Sequence, residues 1–343
     1  MTDRFDTWLS DDGPVALVIR ESLVAVTGKD GVIFPPTFAP DQESTDKKAG
    51  YIIDDGICLM DTVGSQANRL EPIFKQEPYC KLVPKVTVAV GERTVNLLDA
   101  GHRAADAVVR FSDLWSELQA AFLDIREKGN SQRLAKIAPT SLVFGAWDSR
   151  DTQTKIPRLI ESTIRAYGVT PLRRSAQYTS SIEEDTRHQM GIDAASLGDK
   201  DFPAEWGLVD NPSGRVHGGV VAREGIRREA VLNLVALRAL SAGEAEATRR
   251  LQRYILGLAL VAFLAPATLY LRQGCLLTVD KATPSKKSVV HRDGTAEDLS
   301  VTKQDIESFA AEAAAEFGVG ASRQATFDPD AVKKKAKEKK SKK

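Results

Sequence analysis

The sequence is poor in the residues that mark metal, redox and nucleophile chemistry. Its three cysteines, Cys58, Cys80 and Cys275, are odd in number and far apart, which suits reduced thiols better than a disulfide framework. Four histidines, His102, His188, His217 and His291, lie scattered with no partner at metal-ligand spacing, so a zinc site has little support. No Walker-type phosphate loop, dinucleotide fingerprint or GxSxG elbow occurs; Gly318-Val319-Gly320 follows a helical pattern rather than a strand. The opening, MTDRFDTWLSDDG, is polar and acidic and reads as no secretory signal. Long apolar runs are also scarce. One stretch, Tyr254 to Leu271, goes eighteen residues without a charge between Arg253 and Arg272. Its alanines, Gly257 and Pro266 predict a buried helix that breaks at the proline and passes into a strand, not a membrane span. These absences favour binding over catalysis.

Charge of one sign is missing overall but not locally. The chain has 47 Lys or Arg and 47 Asp or Glu, yet its last eleven residues hold eight lysines and one glutamate. That leaves 39 basic and 46 acidic side chains over 1–332, a net −7, so any nucleic-acid site must be a local stripe. Such a stripe lies at 147–178, with six Arg or Lys against three Asp or Glu, interleaved with Trp147, Tyr167 and Tyr178. Cations meet phosphates and rings stack on bases, which is what a sequence-tolerant grip on single-stranded nucleic acid requires. A solvated basic loop beside core aromatics gives the same pattern.

Along the chain, 14–26 reads as a strand or strand pair with Arg20 and Glu21 at its polar centre, followed by a long Pro-, Gly- and Asp-rich loop at 28–50. Residues 51–61 read as a strand or hairpin turning at Asp54-Asp55-Gly56, and a helix capped by Thr62 or Ser65 offers Gln66, Asn68 and Arg69 on its polar side. Two strands turn at Gly91-Glu92 within 82–98, and 102–127 has helical spacing. Ser141 to Trp147 is expected to be a buried strand. Lys155 to Ile164 is expected to be a short amphipathic helix, since Ile156, Leu159, Ile160 and Ile164 keep helical spacing. Residues 179–218, with eight acidic and three basic side chains, read as an irregular excursion. Helices are expected at 226–240, 244–265 and about 303–317, a strand at 269–280, and no fixed structure in the lysine tail.

The stretch VFGAWDSR…TKIPRLIESTIRAYGVTPLRRSAQY within 140–178 resembles the signature region of the Csb-one family, the Cas-seven-type backbone subunit of the type I-G (formerly I-U) CRISPR effector complex. SQANRLE at 65–71 and LRQGCLLTV at 271–279 share the likeness. The resemblance implies an α+β fold, an RRM-like (ferredoxin-like) palm with large finger and thumb insertions. It would be one domain over 1–330, with insertions near 28–50 and 179–218, followed by a tail at 331–343. It further implies a cytoplasmic subunit, without cofactor or catalysis, that polymerises head to tail along CRISPR RNA. Its partners would be that RNA, target DNA by way of guide pairing, further copies of itself, other Cascade subunits and a helicase-nuclease, with no membrane. By match to the family stretches, Gln66, Asn68, Arg69, Arg150, Lys155, Arg158, Arg165, Arg173 and Arg174 are the expected RNA or neighbour contacts, with Arg20 added from the first strand. The thumb falls in 179–218 or in 28–50.

Two other readings stay open on the sequence alone. One is a metal-independent ribonuclease that processes CRISPR RNA, with His102 as base; the loop residues Asp41, Asp46 and Asp148 correspond in type to the aspartate with which backbone subunits of type III complexes cut target RNA, but no motif supports that role here. The other is a small-molecule enzyme or scaffold protein whose basic stretch is only surface.

Overall fold

The computed structural model describes residues 3–39 and 50–341. Its centre is an antiparallel sheet built on the ten-residue strand β1 (Ala16–Ala25), whose odd-numbered side chains Leu17, Ile19, Leu23 and Ala25 are buried. Further strands are β2 (Ile57–Asp61), β3 (Ile160–Ala166), β4 (Val169–Tyr178), β5 (Asn211–Ala222), β6 (Ile226–Asn233), β7 (Cys275–Val279) and β8 (Lys286–Val290). The sheet runs β7-β1-β6-β3-β2, with short strands added at both edges and β8 paired to the first half of β1. Chain order is β1, helices, β3, β6, helix, β7, and the spatial order is fourth, first, third, second. That is the β-α-β-β-α-β arrangement of an RRM-like palm, so the α+β expectation holds.

Helices cover one face. They are α1 (Val63–Leu70), α2 (Trp115–Lys128), α3 (Ala245–Leu264) and α4 (Lys303–Phe317). Leu17, Ile19, Ile160, Ala230 and Leu232 share a core with Phe122, Tyr254, Leu258 and Phe309 from these helices. Gly257 lets α4 approach α3 closely; a Cβ there would lie 2.9 Å from the Cα of Ala310. The apolar run of α3 is thus a buried core helix ending at Leu264, and no helix among the described residues is long and apolar enough to cross a membrane.

The other half of the sheet curls. Cys58 and Met60 from β2 share a second core with Cys275 and Leu277 from β7, although the two strands lie near opposite edges. Side chains close the gap. Asp61, 1% exposed, accepts from Gln66 at 2.7 Å, Arg69 at 3.0 Å and Arg272 at 3.3 Å. Arg69 also donates to the carbonyl of Leu271 at 2.6 Å, and Arg272 to that of Met60 at 2.8 Å.

The β3–β6 hairpin carries on beyond the sheet as β4–β5, with Val32–Ile33 as a third strand against β5. Three short helices between 184 and 205 cap it. Residues 179–218 are therefore mainly the tip of a long hairpin, and the first part of the 28–50 insertion lies along that hairpin. Asp41 and Asp46 lie outside the described residues.

Four expectations fail locally. Thr140–Phe144 is a buried helix, not a strand. Lys155–Ile156 and Ile160–Ala166 are strands rather than one helix; in the second, Ile160, Ser162, Ile164 and Ala166 all face the core. Residues 226–233 are strand β6, with helix only at Leu234–Arg238. The lysine tail, expected without fixed structure, continues as α5 (Pro329–Ser341), whose Ala, Lys and Glu are strong helix formers.

Candidate nucleic-acid interface

The face of the sheet opposite the helices is open to solvent, and strand register decides what it displays. Across it, Lys286 on β8 pairs with Arg20 on β1, Arg20 with Glu229 on β6, and Glu229 with Thr163 on β3. The next row places Ser22, Arg227, Arg165 and Leu59 side by side. Paired residues of an antiparallel sheet point to the same side, so four cations and two hydroxyls share one surface. Glu229 is the carboxylate in these two rows, and Glu161 lies one register row beyond, paired with Val231.

Glu229 sits between two guanidinium groups, 3.6 Å from Arg20 and 3.9 Å from Arg165. Arg20 is 73% exposed in its side chain. A guanidinium offers five N–H donors, so one carboxylate shared by two arginines leaves most donors free for phosphate oxygens. Arg165 is further steadied by a 2.6 Å bond to the Thr163 hydroxyl. Arg227 lies over the Tyr167 ring at 4.2 Å, which supplies an aromatic surface with a cation already stacked on it. A cavity of about 300 Å³ opens at the end of this face, lined by Ser22, Val24, Lys29, Gly225, Arg227 and Asp280.

A second group lies around Gly145. Arg103, buried beside Phe144, donates to Glu71 at 2.7 Å, to the Gly145 carbonyl at 3.4 Å and to Asn68 at 3.4 Å. Burial pushes the Glu71 carboxyl up, with Arg103 opposing that shift. Asn68 and Arg158 are exposed here, and a Cβ on Gly145 would lie 2.8 Å from Arg158 Cγ. Lys155 reaches over the exposed Trp147 ring at 5.9 Å, and Arg150 is exposed on the adjoining turn. On the hairpin, Arg173 is exposed and Arg174 lies over the Phe34 ring at 6.0 Å.

Of the residues expected from sequence, Gln66 must be reassigned. It is 3% exposed, donating to Asp61 and accepting from Ser162 at 2.9 Å, so it serves the core. Arg69 likewise closes the curled sheet through Asp61 and Leu271. Arg20 and Arg165 fall on the open face, Asn68 and Arg158 near Gly145, Arg150 and Lys155 by Trp147, and Arg173 and Arg174 on the hairpin. Sequence reasoning misses Arg227 and Lys286. Period-two alternation in IRREAVLN at 226–233 is the signal that could expose Arg227, but a helical reading of that segment hides it.

The two described ribonuclease candidates, His102 and Asp148, lie in different surroundings. His102 is exposed at the start of a short turn, where its backbone N–H donates to Asp106 at 3.1 Å. Asp148 is fully buried, paired to Arg110 at 2.8 Å and accepting from the Thr152 N–H and hydroxyl at 2.7 and 2.8 Å. Burial opposes its ionisation, but these donors outweigh it and hold the carboxyl below the usual range. Among the described residues no three His, Cys, Asp or Glu side chains are grouped to hold a metal ion.

No curated protein matches the chain. Residues 17–171, somewhat less than half of the chain and including Arg20, Arg165 and Tyr167, match the model of the family described as CRISPR-associated protein GSU0053 (Cas_GSU0053), and this similarity supports a CRISPR-associated protein.

Proposed function

We propose that the chain is an RNA-binding backbone subunit of a type I-G Cascade complex in the cytoplasm, coating the spacer of CRISPR RNA and presenting it to target DNA. The observation that carries this reading is the open face of the RRM-like sheet, where Lys286, Arg20, Arg165 and Arg227 stand in adjoining register rows beside Tyr167. RRM-type sheets bind single strands by stacking bases on such a face, and cations aimed at the backbone hold a strand without reading its sequence. That suits a guide whose specificity belongs to base pairing. The long β4–β5 hairpin supplies a projection for heterologous contact with a second copy, and repeated contacts of that kind extend into a filament. Catalysis has no part in this reading.

The test is gel filtration with the absorbance ratio, on protein expressed with and without a CRISPR array and then treated with ribonuclease. A large RNA-containing species with protected fragments of regular length is expected. A monomer free of nucleic acid in both preparations overturns the reading.

A further inference from the structure

We infer that α5 is a second nucleic-acid-binding element, directed to the phosphate backbone of a duplex and separate from the open sheet face. The helix is rooted on the body. Strand Arg323–Thr326 pairs in parallel with Val86–Val90, Phe327 sets its ring edge-on against Phe111, and Asp328 caps the helix by accepting from the N–H groups of Asp330 at 2.8 Å and Ala331 at 3.1 Å. Pro329 then occupies the first turn, where its missing N–H costs nothing.

From that root α5 carries six lysines, Lys333, Lys334, Lys335, Lys337, Lys339 and Lys340, and Lys342 and Lys343 follow in sequence. At 100° per residue Lys333, Lys334, Lys335 and Lys337 are spread over more than half of the helix circumference rather than along one side. Val332 to Lys337 are exposed. Like charges three and four residues apart destabilise a helix, and a polyanion relieves that repulsion. Thirteen residues span about 20 Å, a length over which a duplex presents roughly a dozen phosphates, at one per about 1.7 Å of axis. Release of condensed counterions is greater per cation on a duplex than on a single strand, so duplex is the better-matched partner. The acidic hairpin tip of another copy is a weaker match, with eight carboxylates spread over forty residues, 179–218.

The experiment titrates a labelled duplex of arbitrary sequence, without guide RNA, against full-length protein by fluorescence anisotropy in rising salt. With six lysines engaged, the parent is expected to lose about a thousandfold in affinity between roughly 50 and 200 mM salt. A full-length variant with all six changed to Gln, which keeps the helix formers, is expected to bind at least about tenfold more weakly in 100 mM salt with a much shallower salt slope. Arg20→Glu with Arg227→Glu is expected to leave duplex binding unchanged, so the sheet-face reading and this one fail separately. Unchanged duplex affinity and slope in the six-Gln variant overturn the proposal. So does a loss of self-association in that variant, measured by light scattering without DNA, if duplex binding is retained; the lysines would then serve a neighbouring copy.

Discussion

Arg272 donates to the buried carboxylate of Asp61 at 3.3 Å, joining strands near opposite edges of one sheet across 211 residues of sequence. Gln66 and Arg69 share the same carboxylate, so two cations and an amide depend on one acceptor. Asp61→Ala leaves all three facing each other in a largely buried site. A loss of about 3 kcal/mol in unfolding free energy is expected, since removing one partner of a buried pair strands the other. Urea denaturation measures it, and a change below about 1 kcal/mol would show that the clamp is incidental.

Much of the architecture is legible in the sequence because apolar spacing is regular where partners are near along the chain. Helices α3 and α4, the Gly91 turn and the Thr62 cap, which accepts from Ser65 N–H at 3.1 Å, follow directly. The two strands misread as helices share one cause, a polar residue on the core-facing side whose partner is distant. Ser162 faces inward to bond Gln66, and buried Arg228 pairs with Glu21 at 2.7 Å, 207 residues away. Each breaks the period-two pattern of its strand, which then passes for a helix. The same blindness affects the candidate residues. A polar helix face suggests that Gln66 and Arg69 meet RNA, whereas burial at Asp61 can be known only from the fold. Arg227 stays hidden inside a strand that reads as helix.

Gly219, at φ +92°, lets Val32–Ile33 lie against the hairpin; a Cβ would sit 2.9 Å from the Ile33 carbonyl oxygen and 2.6 Å from Val32 Cγ1. In Gly219→Ala the left-handed backbone and the close approach are both unfavourable, together about 1–3 kcal/mol. Faster amide exchange is expected at Ile33 and Val220, confined to this third strand, with β1 and β6 protected as before. Uniform loss of protection across the sheet would show that the hairpin is not an independent extension.

Asp148 ties Arg110 and Thr152 together from a fully buried position. Because its carboxyl is held below the ordinary value, its contribution is present above about pH 4 and fades as pH falls through the folded value. Asp148→Asn is expected to be less stable than the parent at pH 7 by roughly 2 kcal/mol, in the range for hydrogen bonds to a charged group. The gap should narrow in acid, below about pH 4. Urea unfolding of both proteins at several pH values checks this, and a gap independent of pH would remove the ion pair from the account.

The two rows of the open face predict opposite outcomes for charge and for stability. Arg20 and Arg227 are surface cations whose removal breaks no buried bond, so Arg20→Glu with Arg227→Glu should shift unfolding by no more than about 1 kcal/mol. Single-stranded RNA binding should respond strongly. Each cation withdrawn from a phosphate lowers the slope of log affinity against log salt by about 0.7 for a single strand, so the double variant should lower it by about 1.4. Tyr167→Ala should weaken binding with the slope nearly unchanged, because stacking releases no counterions. Filter binding at three salt concentrations separates the two effects. Tyr167→Ala altering the slope as much as the arginine pair would mean that the ring only holds Arg227 in place, and unaltered binding in both variants would move the RNA off this face.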